Sequence, residues 1–195
     1  MISRLKGVLV TLEPDRVEVE TKGGVVYEVA VPTTVSGRLP ALGAEVEIRT
    51  YHVVREDTAA LYGFIEPEER ELFVRLLGAS GVGAKLAVSM LSTFSASRLA
   101  RALAEKDTTA LKQVSGVGKK TAERIVVELS DKVQDLALSP ESGDGEGAGP
   151  VREAVSALVS LGFPFTEADE MVRKVMEEGD VETSEELIRK ALAGR

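Results

Sequence analysis

Residues Leu76–Ala87 read LLGASGVGAKLA, and residues Leu111–Ala122 read LKQVSGVGKKTA, the same phrase 35 positions later. The offset pairs Leu76 with Leu111, Ser80 with Ser115, Gly81 with Gly116 and Val82 with Val117. It also pairs Gly83 with Gly118, Lys85 with Lys120 and Ala87 with Ala122. In each copy an apolar helical pattern runs into Gly-Val-Gly, then a lysine, then a second helical pattern. That is the pattern of a helix-hairpin-helix, and its physics points to the phosphates of nucleic acid, gripped without regard to base sequence.

Glycine reaches positive φ and has no Cβ, so the chain can turn sharply there and approach another molecule closely. Val82 and Val117 are expected to pin the two turns onto the core. The next helix starts at once, and its first N–H groups have no intrahelical partner. With the positive end of the helix dipole they make an anion site. Lys85, Lys119 and Lys120 add charge at the same place. None of these groups reads a base edge; they position a backbone. The alternative, a plain Gly-x-Gly turn between helices, is weakened by two copies in register, each followed by lysine. Nucleotide loops do not fit. A P-loop needs G-x-x-x-x-G-K-[ST], but Gln113 stands five residues before Gly118, and Lys119-Lys120 separates that glycine from Thr121. In G-x-G-x-x-G the third glycine position is taken by Leu86 and by Thr121.

Among 195 residues there is no cysteine and one histidine, His52. That excludes a disulfide frame and a thiolate metal site, and no metal or cofactor is expected. The sequence has no charged-then-apolar leader and no apolar run of membrane length, so a cytoplasmic protein away from membranes is expected.

A net charge of −8 looks wrong for a DNA binder. Residues 1–64 hold seven basic and nine acidic residues, and residues 65–140 hold eleven and ten. Residues 141–195 hold six and thirteen. The acid is therefore concentrated away from the hairpins, and binding depends on the local patch. The middle segment is only weakly basic, so a narrow phosphate track is expected rather than a broad electropositive face.

Residues 1–64 read as β structure. Arg16–Glu20 alternates with period two, Lys22-Gly23-Gly24 turns, Val25–Val31 runs to Pro32, and Glu45–Tyr51 alternates again. Short strands with Gly and Pro turns predict a small barrel or sandwich, with a five-stranded OB-like barrel fitting the length. From Glu66 the period becomes helical. Pro67 with Glu68, Glu69 and Glu71 marks a helix start. Leu99 and Leu103 mark a helix between the two hairpins, and Ile125, Val126 and Leu129 the stripe after the second. These stripes read as core packing.

Residues 139–150 are rich in Gly and acid, with no apolar residue larger than alanine. They read as a flexible linker with an end-to-end distance of roughly 20 Å. Residues 151–195 read as a three-helix, UBA-like unit, with helix caps expected at Thr166 and at Thr183 or Ser184. Its marginal core, its tether and its acidity favour docking a partner protein over touching DNA. Leu158, Leu161, Phe163, Met171 and Leu187 are the candidate docking residues. The fold class is thus α+β and multidomain: an OB-like barrel over 1–64, a tandem helix-hairpin-helix unit over 65–138, the linker, and the three-helix tail.

Between the strand-like stretches Val46–Val54 and Ala59–Phe64 lies Arg55-Glu56-Asp57-Thr58, a hairpin tip with adjacent carboxylates. It reads as a solvated turn or, beside phosphates, as a repulsive element that selects one DNA shape over another.

Taken together, these motifs resemble the bacterial RuvA family, the junction-binding subunit of the Holliday-junction branch-migration machine. The resemblance covers almost the whole chain: Met1–Gly7, Val54–Asp57 leading to Leu61–Phe64, Gly81–Ala87, and most specifically Gly116–Arg124. It implies an OB-fold domain assembling a homotetramer, or an octamer of eight subunits. It implies that Gly81, Val82, Gly83 and Lys85, with Gly116, Val117, Gly118, Lys119, Lys120 and Arg124, bind the arms of a four-way junction. Glu56 and Asp57 match the family's acidic pin. The tail would dock a RuvB-type hexameric ATPase, a RuvC-type junction resolvase is a further partner, and the chain itself would have no catalytic site. The implied setting is recombination, DNA repair and the SOS response to DNA damage. The family often has proline where Ala84 and Ser115 stand, which should loosen the hairpins only modestly.

Two other classes remain open on sequence. A repair enzyme would need a base or nucleophile near a hairpin, for which Asp131, Asp135, Lys119 and Lys120 are the candidates. A single-strand binder would need aromatic platforms, for which Tyr27, Tyr51 and Tyr62 are available.

Overall fold

The computed structural model describes residues 1–56, 58–137, 149–178 and 183–193. Three strands come first, β1 (Arg4–Leu12), β2 (Arg16–Thr21) and β3 (Val26–Ala30). A single helical turn, α1 (Thr33–Ser36), leads into β4 (Glu45–Val54) and β5 (Ala59–Phe64). The strands close a barrel in the order β1-β2-β3-β5-β4. All pairings are antiparallel except β3 with β5, which touch in parallel at Ala30 and Tyr62. Alternation explains the closure, because side chains on one strand point to opposite faces. Leu5 and Leu9, Val17 and Val19, and Val46 and Ile48 turn inward. A Cβ on Gly7 would run into the Glu20 carbonyl of β2, so the approach of β1 to β2 needs glycine there.

The helical unit follows: α2 (Pro67–Leu77), α3 (Ala84–Thr93), α4 (Ala96–Ala104), α5 (Thr108–Leu111), α6 (Lys119–Leu129) and, after a 3-10 turn at Ser130–Lys132, α7 (Gln134–Ala137). Helix α2 starts as its acids and proline predict, with a capping box between Glu66 and Glu69. Glu69 is buried, and its carboxylate accepts from the Ile65 and Glu66 amides at 3.0 Å each. It also pairs with Arg38, from the segment just after α1.

This pairing belongs to a seam between barrel and helices. Phe73 of α2 packs its ring on Tyr62 and Phe64, both at 5.0 Å between centroids, and on Tyr51 at 5.8 Å. Arg70 donates to the Thr50 carbonyl at 2.7 Å. Thr33 and Thr34 of α1 are bonded to Ser92 and Leu91 at the end of α3, with the Thr34 hydroxyl donating to Leu91 O at 2.7 Å. Tyr51 and Tyr62 are thereby half-buried against Phe73.

Three helices end the chain: α8 (Gly149–Ser160), α9 (Phe165–Glu178) and α10 (Ser184–Ala193). Their core includes Ala154, Val155, Leu158, Ala168, Val172, Leu187 and Ala191. Helix α8 closes in a Schellman motif, with Gly162 at φ +99° and bonds from Gly162 N to Val159 O and Phe163 N to Leu158 O. The linker expected over 139–150 lies mostly outside the described residues, and its last two positions already belong to α8. The cap expected at Thr166 is corrected: α9 begins one residue earlier, and the Ala168 amide bonds the Pro164 carbonyl. The Thr183 hydroxyl does cap α10, accepting from Glu186 N at 3.4 Å.

Candidate nucleic-acid interface

The two repeated phrases become the α2–α3 and α5–α6 hairpins, and their turns agree bond for bond. Val82 N bonds Ala79 O at 3.1 Å, and Val117 N bonds Val114 O at 3.0 Å. Gly81 at φ +76° and Gly116 at φ +89° sit third in these turns, the position that a type II turn reserves for glycine. Val82 and Val117 are each 6% exposed, which nails the turns to the core. Gly83 and Gly118 are the residues before α3 and α6, and neither has any atom within 4 Å of where a Cβ would stand. Their open face lets another molecule's backbone come close.

No side chain caps α3 or α6. Their first-turn amides therefore lack a side-chain acceptor at an exposed, dipole-positive end. Lys85, Lys119 and Lys120 are exposed beside these ends. Lys119 is 82% exposed along its side chain and approaches Glu123 only at 4.0 Å. The arrangement can hold anions at two sites of like geometry, and its donors are backbone amides and flexible cations.

Arg124, read from sequence as part of the second motif, is instead brought to the first. Its guanidinium lies over Gly81, where a Cβ would collide with it. One turn further along α6, the Glu128 carboxylate accepts from the Ser80 amide at 2.9 Å. That bond, ahead of Arg124 and Lys132 nearby, holds the Glu128 carboxyl below the usual carboxylate range. Glu128 was not among the sequence candidates. Its spacing of four from Arg124 puts both on one face of a helix, but nothing in the spacing says which turn that face meets.

At the barrel tip, the Arg55 amide bonds the Thr58 carbonyl at 2.7 Å, closing the turn between β4 and β5. Glu56 is exposed on it, and Asp57 lies outside the described residues. A groove of about 570 Å³ runs from the β4 end of this hairpin to the first helical hairpin, with Tyr51, His52, Val54 and Arg55 on one side and Val82 and Gly83 on the other. The β4 end of the hairpin and the start of α3 thus border one groove.

Of the groups that a repair enzyme would need, one is engaged in an ion pair. Asp135 is held by a two-pronged bond from Arg75 at 2.5 and 2.8 Å, which lowers its pKa and fixes it as an ion-pair partner rather than a base. In the tail, Leu158 and Leu187 are fully buried between the helices. Both are expected from sequence as docking residues, and here they pack in the three-helix core. Leu161 is 63% exposed, and Phe163 and Met171 are half-buried.

Comparison with known proteins covers the same three regions. The RuvA N terminal domain matches residues 1–63, the SAM-like helix-hairpin-helix tandem matches 73–131, and the RuvA C-terminal domain matches 149–194. A Gemmatimonas aurantiaca protein named Holliday junction branch migration complex subunit RuvA is 43% identical over 194 residues, covering 99% of this chain and 98% of that relative. Its namesake from Pseudomonas putida W619 is 44% identical over 203 residues, covering 100% and 98%. That from Opitutus terrae is 42% identical over 201 residues, covering 99% and 100%.

Proposed function

We propose, because this chain belongs to the RuvA family, that it is the DNA-binding subunit of a Holliday junction branch-migration complex. The observation that carries the reading is the pair of matched hairpins, each offering an open glycine, uncapped amides and lysine at one helix start. Such groups bind phosphate by position and are indifferent to base. Specificity must then come from shape, and a symmetric assembly supplies it: four copies present eight hairpins to the four arms of a junction. In that homotetramer residues 1–64 form the assembling barrel and residues 65–138 grip the arms. Residues 139–150 tether residues 151–195, which dock a RuvB-type hexameric ATPase.

On this reading the tips bearing Glu56 and Asp57 surround the centre of the junction. Their carboxylates repel phosphate, disfavour an uninterrupted duplex and help hold the junction open and planar. The subunit performs no bond chemistry; it holds the substrate and recruits the motor. Docking falls to Leu161, Phe163 and Met171, with Leu158 and Leu187 supporting the helices from inside. A RuvC-type resolvase is a further partner of the same open junction.

A gel-shift competition between a four-way junction and a linear duplex of equal length, at one salt concentration, tests the reading. Strong junction preference is expected, and equal affinity for the two would overturn it. Changing Glu56→Gln with Asp57→Asn should raise duplex affinity and narrow the preference. An unchanged ratio would return the tip to an ordinary turn. Removing residues 150–195 should spare junction binding and abolish stimulation of the ATPase, whereas retained stimulation would place docking elsewhere.

A further inference from the structure

Lysine is distributed unevenly between the hairpins. The second has Lys119 and Lys120 at its helix start, while the first has only Lys85, because Ala84 stands where Lys119 does. Helix α6 redresses this. Arg124 lies over Gly81, so each turn has two cations beside it, Lys85 with Arg124 and Lys119 with Lys120. Helix α3 does not return the favour: what faces Gly116 from α3 is the Leu86 side chain, 3.5 Å from the Cβ position.

We propose that Glu128 is a positioning residue for the first hairpin: by holding the Ser80 amide and facing Arg124, it fixes the Ser80–Gly81–Val82 turn against α6, so that the two hairpins meet the DNA backbone at a set spacing. The inference rests on the phosphate-gripping reading of the hairpins. The physical case is in the connectivity. Ser80 is exposed and lies at the outer edge of the turn, and its amide points to a carboxylate 48 residues away. The matched residue of the second hairpin, Ser115, has no acidic counterpart one repeat earlier, since position 93 is Thr93. The latch is therefore one-sided, and the first hairpin is located by reference to the second. A carboxylate this close to a phosphate site costs some affinity through repulsion, and its retention is accounted for by what it holds. It accepts from the Ser80 amide at 2.9 Å and lies one helical turn from Arg124 on the same face of α6, so the turn and the guanidinium above it are set by one helix face.

The test uses the full-length protein and junctions carrying one neutral methylphosphonate at successive backbone positions. In the parent, two patches of sensitive phosphates are expected on each arm, and Lys85→Ala and Lys119→Ala with Lys120→Ala should each silence one of them. Glu128→Ala should reduce the sensitivity of the Lys85 patch at least threefold, with Arg124→Ala acting on that same patch, while the other patch is retained. Glu128→Gln, whose amide oxygen can still accept from Ser80, should retain both. A parental map for Glu128→Ala overturns the inference. So does equal weakening of both patches, which marks general destabilisation. If neither lysine change alters any patch, the phosphate reading itself fails, and it fails visibly before Glu128 is touched.

Discussion

The two hairpins use the same turn and different scaffolds. The first is entered from the eleven-residue α2, anchored by a capping box, and the second from the four-residue α5, capped by Asp107 through bonds to Thr109 N and Ala110 N at 3.0 Å. The second supplies its own pair of lysines, and the first takes a cation and a carboxylate latch from α6. What repeats is the backbone geometry, fixed by Gly81 and Gly116 and by Val82 and Val117. What does not repeat is the support, which comes from whichever element lies behind each turn. A duplicated motif can therefore diverge in strength while keeping the Ser-Gly-Val-Gly of its turn.

The largest effect should come from charge. Lys119→Ala with Lys120→Ala is expected to lower the slope of log affinity against log salt by about two, and Lys85→Ala by about one. Equal slopes for all three proteins would remove the lysines from the interface and the comparison with them. Next come the turn glycines. Gly116→Ala should cost about 1–2 kcal/mol in urea unfolding, the penalty of a left-handed L-residue. Gly81→Ala should cost at least as much and also displace Arg124, so it alone should lower the salt slope by about one. Identical binding by the two variants would dissolve the asymmetry.

The smallest effect concerns the prop beneath the first hairpin. Arg75, in the last turn of α2, clasps Asp135 of α7. Asp135 is two-thirds exposed on its side chain, so solvent screens the pair, and Asp135→Asn should cost under about 1 kcal/mol. The folded-state pKa of Asp135 is depressed by the Arg75 bond. Its contribution is therefore present above the unfolded value of about 4 and lost as pH falls through the folded one. The gap between parent and variant should close in acid; a gap that persists there would make the contact steric.

Much of this is written in the sequence wherever a residue's partners are its neighbours. Period-two alternation gives β2 and β4, the proline and acids give the start of α2, and the repeat gives both turns. Short elements escape because four residues carry too little pattern: α1, α5 and α7 have no period to read. Strand β1 is obscured by Gly7, whose lack of a side chain reads as a break and is in fact what the contact with β2 requires. The crossing of Arg124 and Glu128 to the first hairpin depends on how two helices pack, and spacing along one helix is silent about that. The tail shows the complementary limit. Apolar spacing marks Leu158 and Leu187 as a stripe, and a stripe looks the same whether it faces a partner or a sister helix.

The seam between barrel and helices has a mechanical consequence. One covalent strand, at Ile65 and Glu66, joins the two units between β5 and α2. Around it the Arg38–Glu69 pair, the Arg70–Thr50 bond, the Phe73 ring stack and the Thr33 and Thr34 stitches act in parallel. On the proposed reading, a pull on duplex held by the hairpins would be shared among these contacts rather than borne by one peptide joint. The load path from arms to barrel would then be short, and on that reading little of a motor's stroke would be lost to stretching the clamp.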